Sequence, residues 1–211
     1  MATHTLPPSP SPTPRAPAPW GAYVTPVGRM TVEQFEQFPG EDGWVYELHE
    51  GRLIAMPGPG NEHRKIQTRF TLAVGLYIQQ HQLGILGGTG CFNLALPNNT
   101  EELLCPDLSY VTPDREAAMK RRGSYLVGAP DLVIEIASPN DTHPMLDAKA
   151  RVYLQAGVRL IWVAWPAAQT IEVWRPTSPD APTTTLQLAD TLDGLDVVPG
   201  FACPVRAIFE D

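Results

Sequence analysis

A single acid set into an apolar run limits this chain more than any other feature. The segment from Ala129 to Gly157 reads APDLVIEIASPNDTHPMLDAKARVYLQAG. Leu132 to Ala137 is apolar and β-rich, and Glu135 interrupts it. Burying a carboxylate among Val and Ile costs free energy unless the acid is paired or bound to a metal. A strand that carries such an acid is therefore a candidate functional element. Pro130-Asp131 opens it and a Ser-Pro-Asn-Asp loop follows. A helix from about Thr142 to Ala156 carries Lys149 and is stopped by Gly157.

The surroundings suit one folded unit. At 211 residues, 43% apolar and 18% charged, the chain can bury a substantial core. Residues 1–19 are Pro, Ser, Thr and Ala with almost no large apolar side chain, which predicts a disordered tail ahead of one domain over 20–211. No apolar run reaches membrane-spanning length, and no secretory leader is expected. Cys91, Cys105 and Cys203 are odd in number and show no C-x-x-C spacing, which suits reduced thiols in a cytoplasm. The net charge of −8 restricts any nucleic-acid contact to a local patch.

Thr31 with Gln34 has the form of a capping box opening a short helix to about Phe38. Trp44 to His49 and Arg52 to Met56 read as a hairpin around Glu50-Gly51. A long helix, capped by Asn61, is expected to about Gln82 and to end at Gly84, with Ile66, Phe70, Val74 and Ile78 on its apolar stripe. Strands are expected at Ile85–Thr89, Cys91–Leu96 and Leu103–Val111, with Pro106 marking an edge or bulge in the last. Asp114 to Arg122 reads as a helix ending in Lys120-Arg121-Arg122. Arg159–Trp165 with Thr170–Arg175 reads as a hairpin; Thr184–Leu188 and Leu195–Val198 read as short strands, with a last helical turn near Ile208. The order gives an α/β (α+β) fold, one mixed central sheet flanked by helices.

Asp107, Asp131 and Glu135 lie on or beside strands. If the Asp107 strand pairs with the Glu135 strand, their carboxylates converge, and hard oxygen donors of that kind suit Mg2+ or Mn2+. Lys149 can lie back over the strand, where an amine orients water or balances charge on a phosphate. Tyr153, four residues on, shares its face and Arg151 does not. Each residue also has a plainer reading: Glu135 as an edge-strand ion pair, Asp107 as a turn acceptor after proline, Lys149 as a solvated helix residue, and Asp131 as a structural acid where the strand begins. His49, His81 and His143 have no partner apparent in the sequence.

These residues, in this order, resemble the PD-(D/E)XK nuclease superfamily. More closely, the chain resembles the Uma-type restriction-endonuclease-like family, through YELHEGRLIAM at Tyr46–Met56, a Pro-Gly turn before His63, CPDLSYV at Cys105–Val111, PDLVIEIASPND at Pro130–Asp141 and KARVYLQAGVRLIWV at Lys149–Val163. The resemblance runs from about Met30 to the C-terminus. It implies a restriction-endonuclease-like core with Asp107 and Glu135 as metal ligands and Lys149 as the catalytic lysine. The superfamily's lysine two residues after the acid is replaced here by Ala137, so the amine would come from the helix. Glu47, Glu62 and His63 are further candidates for ligand or proton-transfer roles.

Two functions follow as expectations. The first is a Mg2+-dependent DNA endonuclease acting as a homodimer, with Arg64, Lys65, Arg69, Lys120, Arg121 and Arg122 along the DNA. The second is a non-catalytic binding or assembly module on the same fold, favoured by Ala137 and by the acidic charge. No serine-hydrolase elbow, zinc-protease helix or phosphate loop is present in the sequence.

Overall fold

The computed structural model describes residues 23–24, 29–88, 90–94, 96 and 102–210, so the expected tail lies outside the described residues. In chain order the elements are β1 (Tyr23–Val24), α1 (Val32–Glu36), β2 (Trp44–His49), β3 (Arg52–Pro57), α2 (Asn61–Phe70), a π-helical segment (Thr71–Gly75), α3 (Leu76–Gln80), β4 (Ile85–Gly88), β5 (Cys91–Asn93), β6 (Leu103–Leu104), β7 (Leu108–Val111) and α4 (Pro113–Ala118). There follow β8 (Lys120–Arg122), β9 (Tyr125–Val127), β10 (Leu132–Ile136), α5 (His143–Gln155), β11 (Leu160–Trp165), β12 (Thr170–Trp174), β13 (Thr184–Leu186), β14 (Thr191–Asp193), β15 (Ala202–Pro204) and α6 (Arg206–Phe209). The Thr31 capping box forms at α1, and the β2–β3 hairpin turns on Glu50 and Gly51, both with positive φ. Gly60, not Asn61, is the N-cap of α2.

The strands form two large sheets and a small ribbon, not the one sheet expected. One sheet has six strands in the order β13-β12-β11-β10-β7-β4; the other has seven, β1-β3-β2-β6-β5-β9-β8. In the six-stranded sheet β10 and β11 run parallel and the other neighbours antiparallel. Pro106 explains the division. The stretch from Leu103 to Val111 breaks at Cys105-Pro106-Asp107, so that β6 pairs within one sheet and β7 within the other. Proline has no N–H for a ladder, and a strand that meets one there ends or changes course. Asp107 is thereby placed at the crossing between sheets.

Side chains alternate along β10. Ile134 and Ile136 pack with Ile66, Phe70, Val74 and Ile78 of the α2–α3 rod and with Trp162. Val133 and Ala137 pack with Leu146, Ala150 and Tyr153 of α5. Glu135 shares the second face because the period of a strand is two. Asp131 fixes where β10 begins. It is buried and accepts bonds from the Thr112 N–H and hydroxyl, with Arg115 and Arg159 beside it. Arg115 also donates to the carbonyls of Ala129, Pro130 and Gly157. Gly84 lets the chain pass from α3 into β4 at φ +140°, and a Cβ there would run into the Val111 carbonyl oxygen.

Three local expectations are corrected. Lys120–Arg122 is not a helix end but the exposed edge strand β8, paired with β9. Leu195–Val198 is not a strand; the chain turns there, Leu195 has φ 51°, and β14 pairs with β15 instead. Cys91 and Cys105 are not free thiols but a disulfide, 4.1 Å between Cα atoms. The register Phe92↔Leu104 and Asn93↔Leu103 makes Cys91 and Cys105 the next facing positions of β5 and β6. Alkylation of the denatured, unreduced protein is expected to label one thiol, Cys203, and three after reduction. Reduction should lower the unfolding free energy by about 3 kcal/mol, the loop-closure value for a ring of this size; labelling of three thiols without reductant would remove the bond.

Candidate active site

Four segments far apart in sequence meet in a cleft of about 240 Å3 whose lining includes Glu47, His63, Asp107, Glu135, Asp141 and Lys149. Glu47 comes from β2 of the seven-stranded sheet and Glu135 from β10 of the six-stranded sheet. The Lys149 ammonium lies between them, 2.9 Å from Glu47 Oε1 and 3.0 Å from Glu135 Oε1. One turn further along α5, the Tyr153 hydroxyl donates to Glu135 Oε1 at 2.8 Å. Glu47 Oε1 also accepts the Cys105 N–H.

Asp107 is held from three sides. Its Oδ2 accepts the Ile136 N–H at 2.8 Å, and its Oδ1 lies 2.9 Å from His63 Nε2. Gln67, one turn after His63 on α2, donates to the Asp107 carbonyl. The proline break therefore turns the end of β7 so that an acid completes the hydrogen bonding of β10 beside Glu135. Asp141 closes the loop after β10 by accepting the Ser138 N–H.

The electrostatics follow from burial and crowding. Burial pushes the Glu135 carboxyl up to about 8; Asp107 and Glu47 push the same way, and Lys149 opposes them. Lys149 stays protonated: burial disfavours its charge, but the carboxylates of Glu135 and Glu47 outweigh that and raise it. Burial, then Glu135 and Glu47, raise the Tyr153 phenol well above its ordinary value, so it remains a donor. For His63, burial acts downward, but the bond and charge of Asp107 prevail and raise it. Asp141 is raised chiefly by burial. With Glu47, Asp107, Glu135 and Asp141 around one lysine, the cleft is rich in hard oxygen donors and has an excess of potential negative charge. That donor set fits a divalent cation of the Mg2+ or Mn2+ type.

The expected residues divide clearly. Asp107, Glu135 and Lys149 share the cleft, as do Glu47 and His63, and Tyr153 supports Glu135. Glu62 is exposed and lines a separate cleft with Lys65, Arg69 and Phe209. None of Arg64, Lys65, Arg69, Lys120, Arg121 or Arg122 lines the carboxylate cleft. Asp141 and Gln67 were not singled out from the sequence. Glu47 carried the same signal as Glu135, an acid within an apolar strand, and Asp141 sits in a polar loop where no such contrast exists. Arg151, on another face of α5, turns to Asp180.

The two-sheet core with this cleft at its crossing is a restriction-endonuclease-like fold. The chain belongs to the Uma2 family, described as "Putative restriction endonuclease", whose model matches residues 32–206. Among solved structures, one described as a "putative nuclease belonging to DUF820" from Anabaena variabilis superposes with a TM-score of 0.70 at 19% identity, covering 85% of this chain and 97% of that one. At that identity the likeness is one of fold. No curated protein matches the chain. Among the described residues, no helix is long and apolar enough to cross a membrane.

Two stability predictions follow from the charges. An acid whose folded value lies above its unfolded value binds its proton more tightly when folded, so stability falls as pH rises between the two. For Glu135 that interval runs from 4.5 to about 8. His63 and Asp141, both raised, act with the same sign. In chelator, the melting midpoint should fall from pH 5 to 8, and Glu135→Gln should flatten the fall. Lys149→Ala leaves two buried carboxylates facing one another and should cost about 3–5 kcal/mol at pH 8. Denaturant melts should show much of that loss recovered at pH 5, where the acids take up protons; an equal loss at both pH values would contradict the charge argument.

Proposed function

We propose that the protein is a divalent-metal-dependent DNA endonuclease that hydrolyses phosphodiester bonds. The observation that carries this reading is Lys149, held within 3.0 Å of two carboxylates from different sheets, with Asp107 fixed beside them. Asp107 and Glu135 would hold Mg2+ or Mn2+, with Glu47 as a further ligand. When bound, such an ion lowers the pKa of a coordinated water and offsets charge on the phosphate under attack. His63 positions Asp107 through the Nε2 contact. Tyr153 positions Glu135 by donating to the same oxygen that Lys149 approaches. Lys149, placed between Glu47 and Glu135, would face the scissile phosphate, where its ammonium would hold the attacking water or balance developing charge.

The fold family and the acidic cleft support this reading over that of a passive module, since an assembly surface has no use for two buried glutamates on one lysine with Asp107 beside them. Arg64, Lys65 and Arg69 on α2 and Lys120–Arg122 on β8 lie outside the cleft and are proposed as contacts to the phosphate backbone. Cleavage of both strands of a duplex would take two active sites and hence a homodimer. A cytoplasmic setting would bring the enzyme to DNA, but the Cys91–Cys105 bond weighs against a strongly reducing one. Acid-trapped thiols counted on freshly lysed cells separate the two settings.

Supercoiled plasmid incubated with the protein is expected to be nicked and linearised in Mg2+ or Mn2+ and to stay intact in chelator. Asp107→Asn, Glu135→Gln and Lys149→Ala should each lower the single-turnover rate at least 100-fold. DNA binding without cleavage under every metal condition would favour the non-catalytic module.

A further inference from the structure

Helix α5 presents a second set of ligand atoms on its other flank. His143 and Asp147 are four residues apart and so share a face. At 100° per residue that face lies roughly 120° around the helix from the one carrying Lys149 and Tyr153. Beneath it is Glu172 of β12. The register Glu135↔Val163 and Val163↔Glu172 puts both glutamates on the same row and the same side of the sheet, with β11 between them. Two strand spacings make that about 10 Å. The α5 helix thus straddles β11, with Glu135 under one flank and Glu172 under the other.

We propose that His143, Asp147 and Glu172 form a zinc site separate from the carboxylate cleft. Ligand atoms of the three lie within 4.8 Å of one another. His143 Nδ1 is 3.1 Å from Glu172 Oε1. Two ligands of a tetrahedral zinc with bonds near 2.0 Å stand about 3.3 Å apart, so this pair already has nearly the required edge. The independent sign of a missing ligand is Glu172 itself. Its side chain is 8% exposed, and its Oε2 is buried with no hydrogen-bond partner among the described residues. A His143–Glu172 ion pair by itself satisfies one oxygen and leaves the other bare, at the cost of an unmet buried acceptor. It also gives no reason for a second carboxylate, Asp147, at the same point. A dication meets both needs. The imidazole selects zinc and similar transition ions over Mg2+. The His143 ring is held against Trp165, with centroids 3.8 Å apart, so its Nδ1 is directed before any ion arrives. Three protein ligands leave a fourth position for water. The bound ion would clamp the first turns of α5 to β12, two turns ahead of the Lys149–Tyr153 flank.

The test uses full-length wild-type, His143→Ala and Glu172→Gln proteins in excess Mg2+, which under the proposed function fills the other cleft. Zn2+ is titrated by calorimetry and Co2+ by visible absorption. Wild type is expected to bind one Zn2+ per chain more than His143→Ala, to show the intense visible bands of four-coordinate Co2+, and to gain several degrees in melting midpoint on adding zinc. Both variants should lose the bands and bind Zn2+ at least tenfold more weakly. His143 is 63% exposed, so its variant should fold and can carry the test even if Glu172→Gln does not. Equal zinc stoichiometry and equal Co2+ spectra in wild type and His143→Ala would overturn the site, as would no uptake by wild type. Plasmid nicking by His143→Ala in Mg2+ reads the other cleft separately, so failure there is distinguishable from failure here.

Discussion

The contact of one ammonium with two glutamates holds the centre of this protein together. Lys149 reaches down from α5 to Glu135 on one sheet and Glu47 on the other, so the helix and both sheets meet at a single nitrogen. Charges withdrawn from water at this depth repay their desolvation only with close partners and further hydrogen bonds. Those bonds are present: the Tyr153 hydroxyl on Glu135 and the Cys105 N–H on Glu47. Hydrophobic packing gives the sheets their adhesion, but the polar contact sets their mutual position. A shift of either sheet would separate an acid from the lysine.

The same crowding makes the cleft responsive. A cluster with more acids than bases retains a proton near neutrality, and Glu135 is where burial concentrates that tendency. A cation entering the cleft competes with both the proton and the ammonium. Under the proposed function, stability and reactivity would draw on the same electrostatic tension.

Much of this was legible from the residues. Glu135 announced itself because alternation and composition together left an acid where a core residue belongs, and the Thr31 capping box, the β2–β3 hairpin and α5 have local causes that a short window contains. Fold and family were carried by the order of the motifs. What could not be read was whatever depends on pairing between distant strands. Pro106 reads in the sequence as an edge or a bulge in one strand, and only the paired structure shows two strands in two sheets. The Cys91–Cys105 bond comes from cross-strand register, which spacing does not encode. Lys120–Arg122 reads as a helix end because its charge resembles one, yet its pairing with β9 decides otherwise. His143 had no visible partner because Glu172 lies 29 positions away on a strand whose face was unknown.

Strand β10 is fastened at both ends. Asp131, with Arg115 and Arg159, secures its first residue, and the Asp107 carboxylate takes the N–H of its last. Sliding by one residue would send Glu135 through to the α2 side of the sheet and bring Ile134 or Ile136 to face Lys149. The five positions of this strand therefore have no freedom to lengthen or shorten over evolutionary time. Insertions and deletions in relatives should instead collect in stretches such as Thr177–Ala181, where the backbone can absorb a changed count without moving an acid.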